Sequence, residues 1–266
     1  MKRRFEALCG LAVLAIMAAS LSPLQAQERQ LRIKKAKYNP DDPTIELFAG
    51  MESGELEAKV ILKDSTEGKV LITNKSGKPV NVKLPEAFVA VHAQLGPPNQ
   101  GGGGNFGGGG NNGNQNAGGG FGGGGFGGGG NLFNIPAERV GELPVVCVCL
   151  EHGKKEPNAR AQYKLVPVDE YSDNAMLPEV LSALARGEFT QPAAQAVAWH
   201  LENDMTWDQL VAKRIDNLNG TFTPYFSAQD MMGAQQLYLT AKKAAEEKPA
   251  DSKSNSLGNQ LLGNGN

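Results

Sequence analysis

The sequence predicts an α+β protein, in which a small antiparallel β-sandwich or barrel-like domain with a disordered glycine-rich insertion is followed by a helical segment. Two observations lead to this fold class. Short runs rich in valine and isoleucine follow one another from residue 44 to residue 168, separated by Gly, Asn and Ser turns. From residue 169 onward apolar residues recur at helical spacing instead. Because the strands come first and the helices after, a parallel βα repeat is disfavoured.

Residues 1–26 have the order of features found in secretory signal peptides. Lys2-Arg3-Arg4 forms the charged start, Leu8 to Met17 the apolar middle, and Ala26 is the small residue before cleavage at Gln27. A membrane anchor is the less favoured alternative, because the apolar run is short for a bilayer. No later segment is apolar for about 18 residues. We therefore expect an exported protein of the periplasm, cell surface or medium, with no transmembrane segment after cleavage.

The charge balance argues against a nucleic-acid partner. The net charge is -2, and Lys2, Arg3, Arg4 and Glu6 of the leader sum to +2, which leaves about -4 on the mature chain. A chain without a basic excess has little to hold a phosphate backbone.

The mature chain begins with an extended arm and continues into the β-rich domain. Residues 27–43 form the arm, since two Xaa-Pro pairs there oppose a helix. The domain spans 44–168. Its predicted strands are Glu57–Leu62, Lys69–Thr73, Pro79–Leu84, Ala87–His92, Leu143–His152 and Tyr163–Val168.

A glycine-rich tract, residues 97–131, interrupts the β-rich domain. Twenty of the thirty residues from Gly101 to Gly130 are glycine. Such a run buries little apolar surface, so we expect a disordered loop within one domain. A neutral insert is the favoured interpretation. The alternative is a sticky loop whose phenylalanines, Phe106, Phe121 and Phe126, contact other chains or envelope polymer.

The predicted strand Leu143–His152 is apolar on both faces, which indicates a buried strand at the centre of the fold. One face would carry Val145, Cys147, Cys149 and Glu151, and the other Val146, Val148, Leu150 and His152.

This strand also holds the candidate chemical groups. Cys147, Cys149 and His152 could bind a soft metal, yet His152 would face away from both thiols. Two thiols two residues apart on one strand make a poor disulfide, because their Cβ atoms point in parallel. Buried free thiols are the favoured interpretation. A metal site and a redox or covalent role are the alternatives.

The helical region, residues 169–248, is expected to pack on the β domain, and 249–266 to form a disordered tail. Its predicted helices are Leu177–Arg186, Gln191–Leu201, Thr206–Ile215 and Ser227–Glu247.

Catalytic patterns are missing from the sequence. There is no Ser-His-Asp order, no HExxH and no marked pair of carboxylates, and the chain has three histidines. We therefore predict a protein that is not an enzyme and has no cofactor.

Two resemblances add to these inferences. The first lies in the run from Ser53 to Phe88, the glycine tract, and the segments VCLEHGKKEP and AAQAVAWHLENDMTW. In these parts the chain resembles a family of uncharacterised exported bacterial proteins with a Gly-rich insert, which implies export but no activity.

The second resemblance is to the thioester domains of bacterial surface adhesins, in which a cysteine follows an aromatic residue or leucine and a Thr-Gln-x-Ala-apolar-Trp motif comes later. This chain has a similar order of residues: Val148-Cys149-Leu150 comes first, then Pro157, Tyr163 and Leu181, and then Ala194 to Trp199. Here valine precedes the cysteine, alanine replaces the threonine and valine the motif's alanine, and no clear second glutamine motif for the cross-link follows. The resemblance implies a thioester cysteine at Cys149.

The leading functional hypothesis is an exported, non-catalytic structural or interaction protein of the cell envelope. Its partner would be an envelope protein or polymer that contacts the Gly-rich loop. The alternatives are a covalent, thioester-type surface adhesin using Cys149 and a Cys/His metal-binding module.

Overall fold

The computed structural model describes residues 32–36, 38–93, 113–122 and 131–248. Its strands are β1 Arg32–Ile33, β2 Thr44–Glu46, β3 Leu56–Leu62, β4 Glu67–Asn74, β5 Val80–Lys83, β6 Phe88–His92, β7 Ala117–Phe121, β8 Leu132–Ile135, β9 Val140–Cys149, β10 Tyr163–Val166, β11 Arg214–Asp216 and β12 Phe222–Pro224. Its helices are α1 Leu47–Glu52, α2 Val168–Tyr171, α3 Met176–Ala185, α4 Gln191–Glu202, α5 Trp207–Ala212 and α6 Ala228–Glu247.

Six strands close into an antiparallel barrel, which confirms the predicted α+β class with a barrel-like domain. The strand order is β9-β4-β3-β10-β6-β7, and β7 pairs with β9 again. The long strand β9 makes the closure possible, because residues 140–146 pair with β4 while residues 145–149 pair with β7. The short strand β1, within the predicted extended arm, runs parallel to β9.

One apolar core fills the barrel and extends to a second, three-stranded sheet of order β2-β5-β8. Alternate residues along the strands point inward, as the period of a half-buried strand requires. The fully buried members include Leu62, Ile72, Val82, Phe88, Phe133 and Leu143.

Strand β7 corrects the prediction that residues 97–131 are disordered. Residues 113–122 are ordered, and β7 lies between β6 and β9 as the strand that completes the barrel. Phe121 is buried, with its ring centroid 5.2 Å from that of Phe88. The prediction that Phe121 is part of a sticky loop is therefore wrong. Phe106, Phe126 and the rest of the glycine run lie outside the described residues.

Glycine is needed in β7 because the strand is crowded on both faces. A Cβ atom on Gly119 would lie 2.3 Å from the carbonyl oxygen of Val146. On the helix side, a Cβ on Gly120 would lie 2.5 Å from the Cβ of Ala185 in α3, and one on Gly118 2.8 Å from a methyl of Leu181. The missing side chains let α3 and the neighbouring strands approach the β7 backbone closely.

Helices α3, α4 and α6 cover one side of the barrel and form a second core with it. Val148 and Leu150 of the β9 region contribute from the sheet. The helices contribute, among others, Leu177, Leu181, Ala194, Val197, Trp199, Met231 and Leu237. The predicted starts of these helices are close to the observed ones, and their caps are formed by Thr190 and Ser227 as expected from the sequence.

Three predicted elements end earlier than expected. The strand predicted as Tyr163–Val168 ends at Val166, because Val168 begins helix α2. The strand predicted as Leu143–His152 runs from Val140 to Cys149, so His152 lies beyond it. The helix predicted as Thr206–Ile215 ends at Ala212, because Arg214–Asp216 enters a β-hairpin with β12. Gly220, at φ +79°, supplies the left-handed residue of its turn.

Among the residues that the structure describes, none of the helices combines the length and the apolar character that a membrane span requires. The predicted signal peptide and C-terminal tail lie outside the described residues.

Candidate functional site

Cys147 and Cys149, the two cysteines among the residues that the structure describes, lie at the end of β9 and are buried free thiols. Cys147 belongs to the barrel core, whereas Cys149, the last residue of the strand, packs in the core shared with the helices. Burial, followed by the acidic residues nearby, raises the pKa of the Cys149 thiol to about 12. Burial raises the pKa of Cys147 further above its ordinary value. Both thiols are therefore protonated near neutral pH, and neither is a ready nucleophile or metal ligand.

Helix α4 completes β9 where its neighbouring strand ends. Strand β4 pairs with β9 only as far as Val146, and the N–H of Cys147 still donates to the carbonyl of Thr66 at 2.8 Å. At Cys149 the side chain of Gln195 replaces the neighbouring strand as the hydrogen-bond partner of β9. Its Oε1 accepts from the Cys149 N–H at 2.8 Å, and its Nε2 donates to the Cys149 carbonyl at 2.8 Å. One amide side chain thus makes the pair of bonds that a residue of a neighbouring strand would make.

Two further amides extend this contact along the same face of α4. Gln191 Nε2 donates to the carbonyl of Cys147 at 3.2 Å. Asn203, at the end of the helix, donates to the carbonyl of Leu150 at 2.7 Å and accepts from the N–H of His152. Residues 191, 195, 199 and 203 are spaced by four, so they form one stripe on the helix. We call Gln191, Gln195 and Asn203 the amide stripe.

Trp199, the fourth residue on this face, is buried beside a small cluster at the surface. The ring of His152 packs edge-on against it at 4.8 Å between centroids. The ammonium of Lys213 lies 5.1 Å from the Trp199 ring and 5.0 Å from that of Tyr225. Trp199 Nε1 is buried and has no hydrogen-bond partner within the described part of the chain.

His152 also meets Lys213 directly, with 2.9 Å between Nε2 and Nζ. Burial, and then the charge of Lys213, lowers the pKa of His152, while burial lowers the pKa of Lys213. His152 therefore contacts Trp199 and Lys213 rather than the thiols.

The structure does not bring the candidate metal ligands together. Cys147 and Cys149 are sealed in the core, and His152 lies past the strand end. In residues 32–36, 38–93, 113–122 and 131–248 no group of three or more His, Cys, Asp and Glu could hold a metal ion. Of the other histidines, His92 packs on Tyr163 and His200 on Trp207.

Sequence reasoning missed the amide stripe, although a signal for it was present. Gln191, Gln195, Trp199 and Asn203 recur at intervals of four within a helix that is otherwise rich in alanine. Polar residues on a helix face that is also buried require partners. The thioester resemblance includes both Cys149 and Gln195, and the structure brings these two residues together through the main chain of Cys149.

Comparisons of the chain with protein-family models, with curated proteins and with solved structures find no match.

Proposed function

We propose that the chain is an exported, non-catalytic structural or interaction protein of the cell envelope. The observation that supports this most is the burial of Cys147 and Cys149, the residues of the β-domain best suited to covalent or metal chemistry. Burial raises the pKa of both thiols and keeps reagents away from them. In this proposal the thiols fill the core and the surface of the protein carries its function. Export rests on the leader, residues 1–26, and an envelope contact on Phe106, Phe126 and the remaining glycine run.

Thiol labelling combined with cell fractionation tests this proposal. The full chain should appear in the exported fraction with its N-terminus near Gln27, and its two thiols should react with a maleimide only after unfolding. A matched control is Met232→Cys in a chain lacking both native cysteines, because Met232 is 65% exposed on α6 and a thiol there should react at once. The double variant Cys147→Ala/Cys149→Ala should keep the location of the parent chain. Fast labelling of the native thiols, or loss of location in a folded double variant, would contradict the proposal.

A covalent, thioester-type adhesin using Cys149 is the second candidate. Gln195 lies beside Cys149, and a thioester forms when a cysteine Sγ attacks the carboxamide carbon of a glutamine and ammonia leaves. The resembling domains, however, use a second glutamine motif for this cross-link, and Gln195 belongs to the first. The carboxamide of Gln195 is also held by the main chain of Cys149 in the structure.

The mass of the native chain distinguishes the two candidates. A thioester lowers the intact mass by one ammonia, and a small primary amine added to the native protein forms an adduct at the glutamine and frees the thiol. Cys149→Ala would remove the mass deficit and Cys147→Ala would not. A mass equal to that of the processed sequence, with both thiols titratable after unfolding, would exclude the thioester.

A further inference from the structure

The hairpin β11–β12 stands apart from both cores. All six of its strand residues are exposed, and in the described part of the chain its strands pair only with each other. Ile215 is 49% exposed, Phe222 is 62% exposed, and Leu218 at the turn is fully exposed. An isolated two-stranded hairpin is marginally stable in water, and clustered apolar exposure is typical of contact surfaces.

The hydrogen bonds of the hairpin show which backbone groups are left free. The N–H of Tyr225 donates to the carbonyl of Lys213 at 2.9 Å, and the N–H of Asn217 to that of Thr221 at 2.8 Å. Because inward and outward groups alternate along an antiparallel strand, residues 213, 215 and 217 face β12. Arg214 and Asp216 therefore turn their N–H and C=O groups toward the outer edge of β11.

The outer edge of β12 is less suited to pairing. By the same alternation its outward residues are Phe222 and Pro224. Pro224 has no N–H to donate, which is a common way to protect a sheet edge. The β11 edge is thus the open side of the hairpin.

We propose that β11 pairs antiparallel with β11 of a second copy of this chain, about a two-fold axis at Ile215. In this register the outward N–H and C=O of Arg214 meet those of Asp216 of the second copy, and the reverse holds on the other side of the axis. The two Ile215 side chains face each other as the closely spaced, non-hydrogen-bonded pair. Such a contact is isologous and closes as a dimer.

Charge complementarity is the reason to assign this edge to a second copy. Reversed along itself, the strand Arg-Ile-Asp places each cation opposite an anion. Within one copy Arg214 Nε already lies 3.3 Å from Asp216 Oδ1, so the two side chains share a face of the hairpin. Pairing therefore joins two ion pairs into one group of four alternating charges.

The contact is small, so the dimer should be weak. Stable interfaces bury about 1,200–2,000 Å² in total, and two short strands with a few apolar side chains contribute less. We expect association that rises with concentration and weakens with added salt. This inference does not depend on the proposed function, since it rests on the hairpin alone.

Sedimentation velocity of the full chain, measured over concentrations on the order of 1 to 300 µM, tests the pairing. Arg214→Asp places like charges opposite each other on both sides of the axis, and Asp216→Arg does the same with cations. Each should raise the dissociation constant by about tenfold or more. The double variant Arg214→Asp/Asp216→Arg restores the complementarity and should recover most of the association. Lys243→Glu, the same charge change on the C-terminal part of α6, is the matched control and should leave it unchanged.

A second variant tests the main-chain contact. Asp216→Pro removes an N–H that faces outward and takes no part in the hairpin's own ladder, so it should weaken the dimer without changing the thermal midpoint. If Asp216→Pro does disturb the fold, the charge-swap series decides alone. A chain that stays monomeric throughout, or a dimer that is indifferent to Arg214→Asp, or single variants that the double variant does not rescue, would overturn the proposal.

Discussion

Replacing Gln195 by leucine should destabilise the fold strongly, although the two side chains are similar in size. Gln195 is 2% exposed, and its amide bonds the N–H and C=O of Cys149 at 2.8 Å each. Leucine offers neither a donor nor an acceptor, so both backbone groups would be left buried and unpaired. Each such group costs about 1–3 kcal/mol, which gives a loss of roughly 2–6 kcal/mol in the free energy of unfolding. That is a large fraction of the stability of an ordinary domain.

Urea unfolding followed by circular dichroism measures this loss, provided that the slope with denaturant is unchanged. Gln191→Leu is the matched control on the same helix face, because it removes one longer bond, of 3.2 Å, from a partly exposed side chain. It should cost about 0.5–1.5 kcal/mol. If Gln195→Leu costs no more than Gln191→Leu, a helix amide does not replace a strand at Cys149.

Two further predictions concern the glycine strand and the thiols. Gly119→Ala should lower the free energy of unfolding by about 1–3 kcal/mol, because its Cβ would meet the Val146 carbonyl. Gly122→Ala is the control, since its Cβ would lie in open space, and it should change the free energy of unfolding little in the same urea titration. Equal effects of the two substitutions would contradict the crowding of β7. Burial raises the pKa of both thiols above the value of 9.0 that a free thiol has. Their contribution to the free energy of unfolding should therefore be complete below pH 9 and be lost as the pH rises toward about 12, because above pH 9 the unfolded chain releases its thiol protons and the folded chain does not. The stability of the parent chain relative to Cys147→Ala/Cys149→Ala should therefore fall above pH 9, by up to about 1.4 kcal/mol per pH unit for each thiol, and a constant difference across that range would show that the thiols are exposed.

The strands that could be predicted from sequence are those in which the alternation of apolar and polar side chains indicates the buried and exposed faces. In β5, Val80 and Val82 are buried and Lys83 is exposed, as the alternation of residues indicates. Asn81, which the same alternation predicts to be exposed, is buried instead, because its amide donates to the carbonyls of Asn39 and Asp42. Helices α4 and α6 could be located because Thr190 and Ser227 cap them locally. In these elements the information lies within a few residues of the chain.

Strand β7 could not be predicted, because its order comes from its neighbours. A run of glycine has little apolar surface of its own and a high conformational entropy, which is why it predicts disorder. In the fold, β6 and β9 pair with both edges of Ala117–Phe121, and α3 packs on the strand where side chains are missing. The cost of ordering the glycines is offset by contacts that are distant in sequence.

The same reason explains what was found and what was missed at Cys149. Burial of the thiols follows from the apolar pattern of Val145 to Leu150, so it was predicted. The role of Gln195 depends on where β4 ends, which the sequence of α4 does not record. The run from Ala194 to Trp199 suggested a thioester by resemblance, yet its glutamine has a structural use in this chain, since it hydrogen-bonds the edge of β9. A glutamine required for the sheet needs no thioester to account for its presence. For this reason the mass of the native chain, rather than the presence of the motif, is the measurement that separates an adhesin from a structural protein.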